Sequence, residues 1–216
     1  MVKMNAAQLR KGTGDKRSLR PVGLRVRGTV KKQEIYIVLD NVLDTYNIGS
    51  IFRLADAVAA KKVYLCGGTE IPPNHRIKKA SINTTEWVDW EYAETALQAV
   101  RKVKDLWNCH PEGAKRPKDI NQELYSSLIA QNDRMGMVVA IEQSSKSVPY
   151  DKFDYKLPIC LVVGHESNGV SKEVLEIVDG TVEIPMFGVN ISLNVMVSLG
   201  IVLYEVISST VIPSEA

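Results

Sequence analysis

Cysteine, histidine, phenylalanine and tryptophan are each scarce, with three of each among 216 residues. Cys66, Cys109 and Cys160 are widely spaced, odd in number and form no C-x-x-C pair, which excludes a disulfide framework and a zinc ribbon. His75, His110 and His165 share no ligand spacing with one another or with the cysteines, so no metal is expected. No apolar run approaches membrane-spanning length, and polar residues, not a signal peptide, follow Met1. A cytoplasmic protein is therefore expected. No G-x-G-x-x-G follows a strand, which excludes a dinucleotide fingerprint. Gly164 to Gly169 has the glycine spacing of a phosphate loop, but Val170-Ser171 stands where Lys-Ser/Thr is required.

What is present points to an α/β domain with a basic appendage. Residues 1–34 carry ten Lys/Arg against Asp15 and Glu34, a net +8, and the remainder carries −6. This segment has little apolar periodicity and reads as a basic arm. Such an arm either gains affinity for phosphate backbones through counterion release or is a solvated tail. Ile35–Leu39, Val63–Cys66, Met137–Ile141 and Ile159–Val163 are short apolar runs rich in β-branched residues, the pattern of buried strands. Ile48, Ile51, Phe52, Ala55 and Val58 recur at helical spacing, predicting a helix over about 47–60. Residues 95–103 read as a second helix, 72–79 as a basic loop, and 106–133 as an insertion. A last helix runs from Val195 to about Ile207. Strand–helix–strand order predicts five or six strands in a mostly parallel sheet flanked by helices. The core spans 35–208, with a short tail after it.

The stretch from Ile159 to Glu205 concentrates the features of a site. Two strand ends, two glycine-bearing loops and a polar helix start fall within it. In an open α/β sheet, ligands gather at the carboxyl ends of strands, where backbone amides and helix N-termini converge. The alternative is that these glycines serve turns alone. His165 beside Glu166 has the composition of a catalytic pair, but adjacent loop side chains point apart.

Three segments carry a resemblance: Asn47-Ile48-Gly49-Ser50-Ile51-Phe52-Arg53, Gly164-His165-Glu166-Ser167-Asn168-Gly169, and Ile184-Pro185-Met186 with Ser192-Leu193-Asn194-Val195. In this order they resemble the three motifs of the SpoU family, tRNA and rRNA 2′-O-ribose methyltransferases of the SPOUT class. The resemblance implies a C-terminal deep trefoil knot, a homodimer packed through the last helix, and S-adenosylmethionine as cofactor. It implies a cofactor site formed by Val139, Ala140, Ile141, Glu142, Gly164, His165, Glu166, Ile184, Met186, Ser192, Leu193 and Asn194. Backbone groups of Ile184, Met186 and Leu193 would read the adenine.

The resemblance also implies catalytic roles for Asn47, Arg53, Glu166, Ser192 and Asn194. A guanidinium stays protonated, so Arg53 suits holding a phosphate and stabilising the developing oxyanion better than accepting a proton. Each residue has a plainer alternative. Asn47 would be an N-cap, and Arg53 half of a surface ion pair. Glu166 would cap the helix after Ser171, while Ser192 and Asn194 would cap the last helix. The implied activity is methylation of a ribose 2′-hydroxyl in RNA, with tRNA preferred over rRNA. The alternative is a non-catalytic RNA-binding protein of the same fold.

Overall fold

The computed structural model describes residues 30–108 and 136–212. The basic arm to residue 29, most of the expected insertion, and the last residues of the tail lie outside that description. The apolar runs become strands β1 (Gln33–Asp40), β2 (Ala60–Cys66), β4 (Met137–Ile141) and β6 (Ile159–Gly164). Three shorter strands complete the sheet: β3 (Trp90–Ala93), β5 (Val148–Pro149) and β7 (Gly180–Glu183). The sheet is seven-stranded in the order β3-β2-β1-β6-β4-β7-β5, and each neighbouring pair is parallel. Five or six strands were expected; β3 and β5 are too short to leave a periodic signature.

Alternation along the strands sorts side chains onto two faces. Ile35, Ile37, Leu39, Val63, Leu65, Val139, Leu161 and Val163 meet helices α1 (Thr45–Ala57) and α5 (Val195–Thr210). Tyr36, Val38, Tyr64, Cys66, Val138, Ala140, Cys160 and Val162 meet α3 (Ala96–Asn108) and the single turn α4 (Lys172–Leu175). A parallel sheet covered on both faces explains why its strands read as continuous apolar runs. Burial pushes the Cys66 thiol up to about 12 and raises Cys160 as well, so both behave as apolar filling.

Three elements differ from expectation. Residues 72–79 are not all loop: α2 (His75–Ser81) begins at Asn74, whose side chain accepts from the amides of Arg76 and Ile77. Helix α3 continues through Leu106, where a break was expected, because Trp107 packs edge-on against Tyr36 with ring centroids 5.8 Å apart. Ser171 precedes α4 as expected, but its hydroxyl makes no capping bond.

Helices α1 and α2 pack closely because of Gly49. A Cβ there would lie 2.5 Å from the Ala80 Cβ and 2.7 Å from the Ile77 carbonyl oxygen. Gly49→Ala would gain up to about 1 kcal/mol of helix propensity. Overpacking costs about 1–3 kcal/mol, and a backbone oxygen cannot rotate away. The expected net result is destabilisation, read as a lower urea midpoint at unchanged slope.

Candidate active site

The carboxyl ends of β1 and β6 are level, with Asp40 opposite Gly164 in the ladder. The chain after Gly164 turns back at once: His165 and Gly169 exchange backbone hydrogen bonds of 3.0 and 2.8 Å. The His165 ring bonds within its own loop. Its Nδ1 accepts from the amides of Ser167 at 3.0 Å and Asn168 at 3.3 Å and so closes the turn. Two carboxylates from flanking strands hold the far side of this loop. Glu142 Oε2, just past β4, accepts from the Val170 amide at 2.8 Å. Asp40 Oδ2, at the end of β1, accepts from the Ser171 amide at 2.8 Å. Gly169 sits at φ +69, and a Cβ on it would fall 2.1 Å from Glu142 Oε2, so glycine is required there.

The tip of the loop presents Glu166 to the start of α1. Its Oε1 accepts from the Asp44 amide at 3.1 Å and from Asn47 Nδ2 at 3.1 Å, and its Oε2 accepts from the Leu43 amide at 3.2 Å. Asn47 is buried in the first turn, and its Oδ1 accepts from Asn194 Nδ2 at 3.0 Å. Asn194 in turn caps α5, its Oδ1 accepting from the Met196 and Val197 amides at 3.0 and 3.4 Å. One chain of hydrogen bonds thus joins Glu166, Asn47 and Asn194, one residue from each of three sequence segments.

The plainer alternatives can be checked against these bonds. Asn47 is not the N-cap of α1; Asp44 is, accepting from Tyr46 and Asn47. Glu166 does not cap α4. Asn194 does cap α5, and holds Asn47 as well. Ser192 is exposed and makes no hydrogen bond among the described residues. The Arg53 side chain is also exposed, about 9 Å further along α1 than Asn47, without a hydrogen bond or ion pair among the described residues. The structure of a single chain does not bring it to Glu166.

Partial burial pushes the Glu166 carboxyl upward, but hydrogen bonds from Asn47, from its own amide and from the Asp44 and Leu43 amides outweigh that. Together they hold it below the usual range. A depressed folded value means these bonds add stability above the unfolded pKa of about 4.3, and lose it as pH falls through the folded value. The link to α1 is therefore expected to persist across neutral pH and open only in acid. Following the Glu166 carboxyl carbon by NMR tests this; a midpoint at or above the ordinary value would contradict it.

The expected cofactor residues divide. Val139 and Ala140 have side chains fully buried in the two core layers, so they support the site from beneath. Ile141, Glu142, Gly164 and Ile184 surround the strand ends, while Met186, Ser192 and Leu193 lie on an irregular segment between β7 and α5. Gln143 Nε2 pins that segment by donating to the Ile191 carbonyl at 2.6 Å. Sequence reasoning missed Asp40, Asp44 and Gln143. An acidic residue just before the apolar helix period was the available signal for Asp44. Among the described residues, no cluster of metal-ligating side chains occurs.

The fold is shared with a known family. A family model for the SpoU rRNA methylases matches residues 34–129 and 122–204, and the chain belongs to that family. A tRNA (guanosine(18)-2′-O)-methyltransferase of Aquifex aeolicus is 32% identical over 186 residues, covering 84% of this chain and 73% of that protein. The crystal structure of the A. aeolicus TrmH/SpoU tRNA modifying enzyme matches with a TM-score of 0.59 at 29% identity, over 83% of this chain and 76% of that one. An AdoMet-bound rRNA methyltransferase from Sinorhizobium meliloti matches with a TM-score of 0.60 at 26% identity, over 82% of this chain but 57% of that one.

Proposed function

We propose that this chain transfers a methyl group from S-adenosylmethionine to a ribose 2′-hydroxyl of RNA in the cytoplasm. The observation that carries this reading is the bonded chain Glu166–Asn47–Asn194, which unites three motif segments at the carboxyl ends of parallel strands. The residues fit the cofactor: among the described residues, the backbone amides and carbonyls of Met186 and Leu193 have no partner. They lie in a segment with the half-buried apolar Ile184. Apolar walls with a few fixed polar groups suit an adenosine. When bound, S-adenosylmethionine supplies an electrophilic methyl group. The name of the Aquifex relative favours tRNA over rRNA.

Arg53 binds the phosphate beside the target ribose and stabilises the 2′-oxygen as its proton passes to solvent water. Its own protonated state makes it a donor and not a base. Glu166 and Asn47 fix the start of α1, which carries Arg53 further along. Asn194 and Ser192 orient the reacting groups, and much of the acceleration comes from that positioning.

The reading extends to a trefoil knot formed by the last third of the chain, and to a homodimer in which Arg53 serves the partner's site. What supports the dimer is apolar exposure on α5 and on the segment before it. Phe187, Val189 and Ile191 are 97%, 100% and 78% exposed, and Val197 and Tyr204 of α5 are 39% and 54% exposed. Light scattering at micromolar concentration tests it; a fully active monomer would sink the shared site. The activity is tested by following labelled methyl from S-adenosylmethionine into total tRNA and, separately, rRNA. Label recovered as 2′-O-methylribose supports the reading. No detectable cofactor binding would favour the non-catalytic RNA-binding alternative.

A further inference from the structure

An open cleft of about 610 Å³ adjoins the start of α1, lined by Leu43, Asp44, Thr45, Tyr46, Glu166 and, from a separate helix, Arg76. The close packing at Gly49 brings Arg76 there. Ile77, fully buried, anchors the inner face of α2, and its carbonyl lies against Gly49. The neighbouring Arg76 is thereby turned out to the rim of the cleft.

The cleft's own carboxylates do not use Arg76. Asp44 Oδ1 accepts from the Tyr46 and Asn47 amides, and Glu166 from the Leu43 and Asp44 amides and Asn47. The Arg76 guanidinium has no ion pair or hydrogen bond among the described residues. A guanidinium presents a planar fork of donors suited to a phosphate's oxygens, and its charge is permanent. Helix α2 continues the positive surface: Lys78 and Lys79 are exposed, and the helix contains no acidic residue. Arg76 and Lys79, three apart on the helix, lie on neighbouring positions of one face.

A ribose delivered to the Glu166–Asn194 region arrives with a phosphate on either side. We infer that Arg76 is an RNA-phosphate clamp at the rim of this cleft, with Lys79, its neighbour on the same helix face, extending the track along α2. It rests on the RNA-methylating reading above. Arg76 acts by positioning: it fixes the register of the RNA strand, and with it which nucleotide's ribose reaches the reacting groups.

The test uses the full chain with a tRNA transcript. Steady-state methyl transfer and binding by fluorescence anisotropy between 50 and 200 mM salt are compared for wild type, Arg76→Ala, Arg76→Lys and Lys79→Ala. Arg76→Ala is expected to raise the KM for RNA roughly tenfold and to lower the salt slope of binding by about one. The kcat should stay within about twofold and S-adenosylmethionine affinity should be unchanged, because the clamp acts before chemistry. Arg76→Lys restores the salt slope but only part of the KM, since it keeps the charge and loses the fork. Lys79→Ala weakens binding with little effect on kcat. A wild-type KM and salt slope in Arg76→Ala would overturn the clamp, as would a fall in kcat alone. Absence of methyl transfer by the wild type would instead sink the proposed activity, and the binding slope would then still decide the clamp.

Discussion

Arg53→Ala is expected to lower kcat for methyl transfer about 10²–10³-fold, the range seen when a single oxyanion-stabilising donor is removed. S-adenosylmethionine affinity should stay within twofold. The fold offers little other reason for Arg53 to matter. It is exposed on the outer face of α1, beside buried Ile51 and Phe52 on the inner face, and its side chain makes no hydrogen bond or ion pair among the described residues. Surface substitutions of this kind shift stability by about 0.5 kcal/mol or less, so lost activity would report chemistry and not unfolding. Arg53→Lys should recover only part of the rate, because an ammonium is a point charge without the bidentate fork. Single-turnover transfer at saturating cofactor and RNA is the measurement. An alanine variant within threefold of the wild-type rate would remove Arg53 from the mechanism.

The largest structural effect is expected at Gly164. A Cβ there would lie 2.0 Å from the carbonyl carbon of Gly169 and 2.2 Å from both the Gly169 oxygen and the Val170 nitrogen. All three are backbone atoms, and none can rotate clear. Neither side can retreat. Gly164 ends a strand between β1 and β4, and the Val170 amide is held by Glu142. We expect Gly164→Ala to reach or exceed the upper end of overpacking losses, about 3 kcal/mol. For a chain of this size that corresponds to a fall in Tm of about 10 °C. Cofactor affinity should fall with it, since the same loop presents Glu166. Gly188→Ala is the matched control, because nothing lies within 4 Å of a Cβ at that position. Thermal unfolding of both variants decides the matter; equal melting temperatures would show that the loop after β6 is not closed as described.

The central strands were legible because each is buried on both faces, which leaves an uninterrupted apolar run in β1, β2, β4 and β6. The order of those strands was not. The sheet places β6 between β1 and β4, and β4 between β6 and β7, and no local pattern encodes which distant strand becomes a neighbour. Helix α2 was masked by the Pro72-Pro73 step and its charges, for it buries only Ile77 and Ser81. Of the site, the motif segments were visible as residue types at fixed spacings, and Glu166, Asn47 and Asn194 do meet. The grips of Asp40 and Glu142 on consecutive amides could not be read. The acceptors lie 131 and 28 residues from the amides they hold, and a backbone amide has no identity in a sequence.

The two outermost strands of the sheet have a consequence for solubility. Among the described residues the sheet stops at β3, of four residues, and at β5, of two, one of them Pro149. At the β3 end, Glu91 is occupied by Lys62 and Lys102. A foreign strand seeking a template finds few free backbone groups at either border, and at one of them a residue with no amide to offer. Ordered growth by strand addition is therefore disfavoured.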